Sequence, residues 1–298
     1  ISGGYTPDED LLSYTDANGI IGSWNSSTGI LSLTGISSVS NYQTALRNIS
    51  YINSNTDNPV LTPRIISFSV NDSISTSNTV TRNINIIGVN DPPVLSNLET
   101  STLDFQEEDS QKNITNSLTI ADPDNAALTS AVVAISANYM PSEDLLVFEN
   151  QNGITGIWNS VSGILTLSGS ASLGYYETAL RSISYINTNH INPNALTRTV
   201  SITASDGSLN SNTATREIRI IPVNDPPVAQ NVIITGNTTI LAVLTGNYIY
   251  ADPEGNPEGA SVFTWYLADN SSGDNKSAIP GASSKQYQVK YNNGGKWI

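Results

Sequence analysis

The sequence predicts an all-β fold, with tandem β-sandwich modules strung into an elongated array. Three observations carry that expectation. A long internal duplication runs through most of the chain, and short alternations of apolar and polar residues recur inside it. Clusters of Gly, Asn, Asp and Ser interrupt those alternations at intervals suited to short antiparallel strands.

The duplication comes first because a long period determines the architecture. "NGIIGSWNSSTGILSLTG" (Asn18 to Gly35) returns as "NGITGIWNSVSGILTLSG" (Asn152 to Gly169), and "NYQTALRNISYIN" (Asn41 to Asn53) as "YYETALRSISYIN" (Tyr175 to Asn187). The offset is 134 residues, the separation of Trp24 from Trp158, and it holds without a gap from Ile1/Ile135 to Val94/Val228. Each copy closes on "VNDPPV", at Val89 to Val94 and Val223 to Val228. One module copied twice, with the same acidic, prolyl seam, is the simplest reading. The expected organisation is a first module over residues 1–94 that lacks its N-terminal part, a complete second module over 95–228, and a third over 229–298 that stops short of a closed sandwich.

Within a copy, Ile66, Phe68 and Val70 alternate with polar residues, as do Val200, Ile202 and Ala204. Ile84 and Ile86 repeat the pattern and match Ile218 and Ile220. Ser, Thr and Asn on the intervening positions suit the wet face of a sandwich. Helical spacing appears once per copy, and "YYETALRSI" (Tyr175 to Ile183) predicts a short helix crossing the sandwich through Tyr176, Leu180 and Ile183. Trp24 and Trp158, flanked by Gly, are expected as core plugs. An exposed pair on one face would instead form a carbohydrate platform.

Composition narrows the function classes. At 298 residues the chain has room for about two to three domains. Lys and Arg total 12 against 26 Asp and Glu, a net charge of −14 and a pI near 4.2. Neither nucleic acid nor an anionic membrane surface suits so few cations. Zero cysteines remove disulfides, thiolate metal sites and Cys nucleophiles together. No apolar run approaches the roughly 20 residues of a membrane helix, and "ISGGYTPDED" has neither region of a signal peptide.

An enzymatic role finds no support in the inventory. The one histidine, His190, sits in "NTNHINPN", where the first copy has Thr56, with no nucleophile or orienting carboxylate nearby. No GxSxG, HExxH, Walker or GxGxxG motif stands in a suitable context. The neighbouring carboxylates Glu107/Glu108 and Glu143/Asp144 lie at module edges, where their geometry is not readable from sequence.

The motifs "YxxxEDLL", "GxWNxxxGILxLxG", "YxTALRxIxYxN", "SNT" and "VNDPPV", over Ile1 to Val228, resemble the cadherin-like repeats of bacterial surface proteins and large adhesins. After Val228, "TGNYIYADPEGNPEG", "FTWY" and "IPGASSKQY" resemble a bacterial Ig-like module. The resemblance implies Ca2+ between consecutive modules, held by an Asn/Asp linker, an acidic loop of the following module and a further Asp near its last strands. At the first junction these would be Asn90 and Asp91, then Asp122 and Asp124 of "ADPDN", then Asp206 of "TASDG". At the second they would be Asn224 and Asp225, with Asp252 and Glu254 of "ADPEGN", and with Glu107 and Glu108 reaching the ion from the opening strand of the second module. NDPP is shorter than the cadherin linker and no LDRE motif appears, which implies fewer ions per junction.

Calcium takes six to eight oxygens from such groups. Asn and Asp beside Pro and Gly also suit plain turns that need no metal. The linker, acidic loop and SDG, present together in the family's order, favour the ion. Prolines 92, 93, 226 and 227 fix φ and stiffen both linkers before any ion arrives. The functional expectation is a calcium-stiffened stalk of a secreted or surface-anchored bacterial adhesin-like protein, located outside the cell or at its surface. Its cell-surface or polysaccharide ligand would be bound through other modules. The alternatives are polysaccharide-binding accessory modules of a secreted enzyme and a self-associating, homophilic adhesion module.

Overall fold

The structure is a computed structural model and describes residues 1–298. It is an all-β chain of tandem sandwich-type modules, interrupted by two short helices and a 3-10 turn. The second copy holds the main core, 24 buried residues between Leu95 and Ile220.

That core lies between two sheets. The larger has six strands in the order Thr155–Asn159, Ile164–Ser172, Ala127–Ala137, Arg198–Ser205, Ala214–Ile221, Leu103–Gln106, and only the last pair is parallel. The smaller joins Asp144–Val147, Ser184–Asn187 and Lys112–Asn113. Ala127–Ala137 is central because it pairs on both sides, with Ile164–Ser172 and with Arg198–Ser205. Its alternation turns Ala131, Val133 and Ile135 inward, opposite polar neighbours. Val200, Ile202, Ala204, Ile218 and Ile220 are all buried, as their period-2 spacing predicts.

The helix spans Leu173–Ser182, starting two residues before the predicted stretch. Ser172 caps it, its side chain accepting from Tyr175 N–H at 3.3 Å. Tyr176, Ala179 and Leu180 form its buried stripe, and the Tyr176 hydroxyl donates to Gly169 O at 2.7 Å. Gly169 has φ 140°, which a side chain would resist, and an added Cβ would strike the Gly153 carbonyl.

The first copy repeats these pieces without the whole. Its strands form three separate two-stranded sheets: Asp10–Ser13 with Ser50–Asn53, Ile21–Asn25 with Ile30–Thr34, and Arg64–Phe68 with Val80–Ile84. A capped helix, Val39–Arg47, matches Leu173–Ser182. Only Leu12, Ile20, Ala45 and Ile66 are buried among its apolar residues. Gly3 bridges Ile65 at the position where Ala137 pairs with Thr199 in the second copy. In the third segment Val228–Gly236, Val243–Ala251 and Gln286–Gln288 make one sheet beside a small core of Leu244, Trp265, Tyr287 and Val289.

The two repeat tryptophans depart from expectation. Trp24 and Trp158 are half-buried, not central plugs. Each lies in the outer strand of a hairpin, edge-on to a tyrosine: Tyr5 at 6.1 Å and Tyr139 at 6.0 Å between ring centroids. An outer strand has sheet on one side only, so its inward ring meets core on one flank and water on the other. The buried aromatics of the core are Phe105, Tyr176 and Tyr185, while Trp265 is the buried tryptophan of the third segment.

Candidate metal centres at the two junctions

At the first junction the linker, the acidic loop and the SDG turn meet in one hydrogen-bonded set. Asn90 Nδ2 donates to Asp206 Oδ2 at 2.7 Å, and Asp91 N–H donates to Asp124 Oδ2 at 2.6 Å. Asn125 Nδ2 reaches Asn90 Oδ1 at 2.7 Å. Asp122 shapes its own loop, with Oδ1 accepting from the backbone of Asp124 and Asn125. Its other oxygen, Oδ2, is buried without a hydrogen-bond partner. Asp206 is held below the usual carboxylate range, first by the Asn90 amide and then by the Leu209 and Ser208 N–H groups.

The second junction reuses the pattern with a different following segment. Asp225 N–H donates to Glu254 Oε1 at 3.3 Å, and Asn256 Nδ2 to Asn224 Oδ1 at 2.7 Å. Asp252 Oδ1 accepts from Glu254 and Asn256 N–H, as Asp122 does in its loop. The extra residue, Gly255, is absorbed at φ 75°. Glu107, buried at the end of the second module's opening strand, accepts from Val223 N–H at 2.7 Å through Oε2. Glu108 separates from this set: its backbone is left-handed (φ 67°) and its side chain exposed, so of the predicted pair only Glu107 faces the linker.

Four buried side-chain oxygens in the chain lack a partner: Asp122 Oδ2, Glu107 Oε1, Asp225 Oδ2 and Glu254 Oε2. Every one belongs to a junction carboxylate. An unpaired buried acceptor is costly, the more so when charged, and a cation is the natural partner for the three at the second junction and for Asp122 at the first. No three His, Cys, Asp or Glu side chains converge as a ready-made cluster. A calcium shell drawn partly from Asn and backbone oxygens does not need one.

A second polar constellation, unread from sequence, lies inside each repeat. Arg198, fully buried, donates from Nε to Asp144 at 2.9 Å and from Nη2 to Glu143 at 3.2 Å. Arg64 does the same with Asp10 and Glu9, at 2.8 and 3.2 Å. Tyr185 and Tyr51 donate to the aspartates at 2.6 Å. Burial pushes both phenols up, helped by the adjacent aspartate. On Glu143 and Glu9 burial pushes up but loses to the Asn189 or Asn55 amide, backbone N–H groups and the arginine, so both carboxyls sit low. These neighbouring carboxylates are therefore tied by a guanidinium, an arrangement that fixes structure instead of moving protons. The signal that could have found it is the strict 134-residue spacing of Arg64 and Arg198 alongside Glu-Asp and Tyr-Ile-Asn. His190 is exposed in its loop.

No family model matches the chain. Among curated proteins it is 36% identical to Halomucin from Haloquadratum walsbyi over 97 residues, covering 30% of the chain and 1% of Halomucin. Among solved structures the chain aligns with the human CDH23 EC21-23 segment at 14% identity and a TM-score of 0.27, covering 96% of this chain and 80% of that one. Titin domains A168-A170 align at 11% identity and a TM-score of 0.27, with 94% and 77% covered. No helix is long and apolar enough to cross a membrane.

Proposed function

We propose that the chain is a repeat segment of a large extracellular or cell-surface protein of the adhesin type, and that Ca2+ at its two junctions stiffens it. The repeat motifs extend this reading to bacterial surface proteins. The observation that carries the calcium assignment is the four orphaned carboxylate oxygens, all at junctions. Asn90, Asp91, Asp122, Asp124 and Asp206 would hold the ion at the first junction, and Glu107, Asn224, Asp225, Asp252 and Glu254 at the second. The ion would supply positive charge beside junction carboxylate oxygens that have no hydrogen-bond partner.

The physical case rests on repulsion. Two carboxylates about 4 Å apart repel by roughly 4 kcal/mol at an effective dielectric near 20, so without a counterion the docked arrangement is the one that suffers. A cation reverses that sign. At the second junction the ligands come from both sides of the linker, with Glu107 before it and Asp252 and Glu254 after it, so only the docked junction assembles them; at the first they join the linker to the module that follows. Binding is therefore expressed as a straight, ordered array that holds other modules away from their anchor.

Extracellular calcium modules bind at about 0.1–1 mM. At 10 mM calcium and a Kd of about 0.1 mM, each site adds about 2.7 kcal/mol to the docked state. Calorimetry should show binding, and a chelator should broaden the solution-scattering profile and open both VNDPPV linkers to protease while the sandwiches stay folded. Asp225→Ala should reproduce the change at the second junction and Asp122→Ala at the first. Absence of calcium heat together with chelator-independent scattering would sink the proposal.

A further inference from the structure

Each junction contains a contact that involves no carboxylate. Asn58 Nδ2 donates across the first junction to the carbonyl of Pro123 at 2.6 Å, and Asn192 Nδ2 donates across the second to the carbonyl of Pro253 at 2.9 Å. The donors are equivalent, 134 residues apart. The acceptors are not, because Pro123 belongs to the second repeat and Pro253 to the unrelated third segment. The same reach is made twice, toward two segments of unrelated sequence.

The loop that makes the reach is braced from inside its own module. Asn189 Nδ2 donates to Asn192 O at 2.8 Å and to Glu143 at 3.1 Å, while its Oδ1 accepts from Ile191 and Asn192 N–H. Arg198 Nη1 donates to Asn194 O at 2.8 Å, and Glu143 accepts from Asn194 N–H at 3.0 Å. In the first repeat Asn55, Glu9 and Arg64 brace Asn58 and Val60 by the same bonds. The buried guanidinium cluster is thus continuous with a side chain that leaves the module. On the receiving side the proline is held between Asp122 and Asp124, or Asp252 and Glu254, in a loop that the first Asp closes on its own backbone.

We propose that Asn58 and Asn192 form a metal-independent latch that docks each repeat onto the Asp-Pro loop of whatever module follows. A backbone carbonyl is offered by any residue, so the latch reads the shape of the loop and not its side chains. That explains how one repeat seats both a copy of itself and a module of another type. The Gly255 insertion falls after the accepting carbonyl, so both loops present it alike. The latch acts with or without calcium: chelation raises linker cleavage only part of the way and loss of the latch raises it further, so its failure is separable from failure of the calcium reading.

The test uses the 298-residue chain in excess chelator, with Asn58→Asp and Asn192→Asp. Each replaces the donor with a carboxylate facing a carbonyl, at an exposed position whose backbone bonds remain. Protease cleavage within residues 223–228 should rise about 2- to 10-fold in Asn192→Asp, the equivalent of one hydrogen bond, while cleavage within 89–94 is unchanged. Asn58→Asp should give the reverse, and the thermal transition of the second repeat should not move in either. Unchanged cleavage in chelator, a difference confined to calcium-loaded protein, or both linkers opening in one variant would each overturn the latch.

Discussion

The two repeats share their motifs yet differ in how far they bury them. Leu165 and Leu167 are buried in the second repeat, whereas Leu31 and Leu33, in the same hairpin of the first, are half-exposed. Tyr176 and Tyr185 are fully buried, but Tyr42 and Tyr51 are not. The hairpins, capped helix and ion cluster nevertheless form in both. In the second repeat the central strand Ala127–Ala137 and its neighbours from residues 95–126 cover these faces, whereas residues 1–94 match only the second repeat from Ile135 onward, where Gly3 bridges Ile65. Local pattern therefore specifies pieces, and a shared strand specifies the core. A hairpin's apolar face has hydrophobic value only when something covers it.

The largest expected effect tests what the repeats hold in common. Arg198→Met and Arg64→Met each strand two carboxylates, so each should destabilise its own repeat by about 3–5 kcal/mol, the cost of breaking a buried pair from one side. Hydrogen exchange resolved by residue is the suitable readout, because a multi-module chain has no single unfolding free energy. A loss in the second repeat alone would mean that the first cluster is not formed in solution.

The next effect tests what they do not share. Leu167→Ala should cost about 2–5 kcal/mol, the range for a buried Leu, whereas Leu33→Ala should cost about 1 kcal/mol or less. Equal losses would show that the first hairpin is covered by something beyond its own strands.

The smallest effect concerns acid. Burial pushes the Glu99 carboxyl up, but the Thr115 hydroxyl, the Asn116 N–H and Arg216 prevail and hold it at about 2 against an ordinary 4.5. A carboxyl lowered in the folded state stabilises above pH 4.5, and that contribution is lost as pH falls from 4.5 toward 2. Glu99 and its partners Thr115, Asn116 and Arg216 all lie in the second repeat. Glu99→Gln should therefore weaken only the second repeat at pH 7, by under about 1 kcal/mol for a part-exposed pair, with the gap from the unsubstituted chain closing below pH 4. A gap that stays constant with pH would show that hydrogen bonding alone, not charge, is at work.

Much of this architecture was legible. Period-2 alternation at Val200–Ala204 and Ile218–Ile220 marked inward faces, and the spacing of Tyr176 and Leu180 marked the helix. Asn, Asp and Pro at a repeated seam marked where the linker, the acidic loop and the SDG turn share hydrogen bonds. The burial of Trp158 was not legible, because its Gly-flanked alternation is the same in an outer strand as in a central one. Glu107 and Glu108 were indistinguishable as neighbours, and a left-handed backbone at Glu108 turned one inward and the other out.

By itself, the sequence determined the repeat, the strand and helix pieces and the acidic character of the seams, since these follow from the order of side chains along a local backbone. Tertiary structure alone decided which strand would be central, that Arg198 would close on Glu143 and Asp144 from 54 to 55 residues away, and that Asn192 would cross to Pro253. Those outcomes depend on which surfaces meet. Burial and desolvation are properties of the meeting, not of either surface.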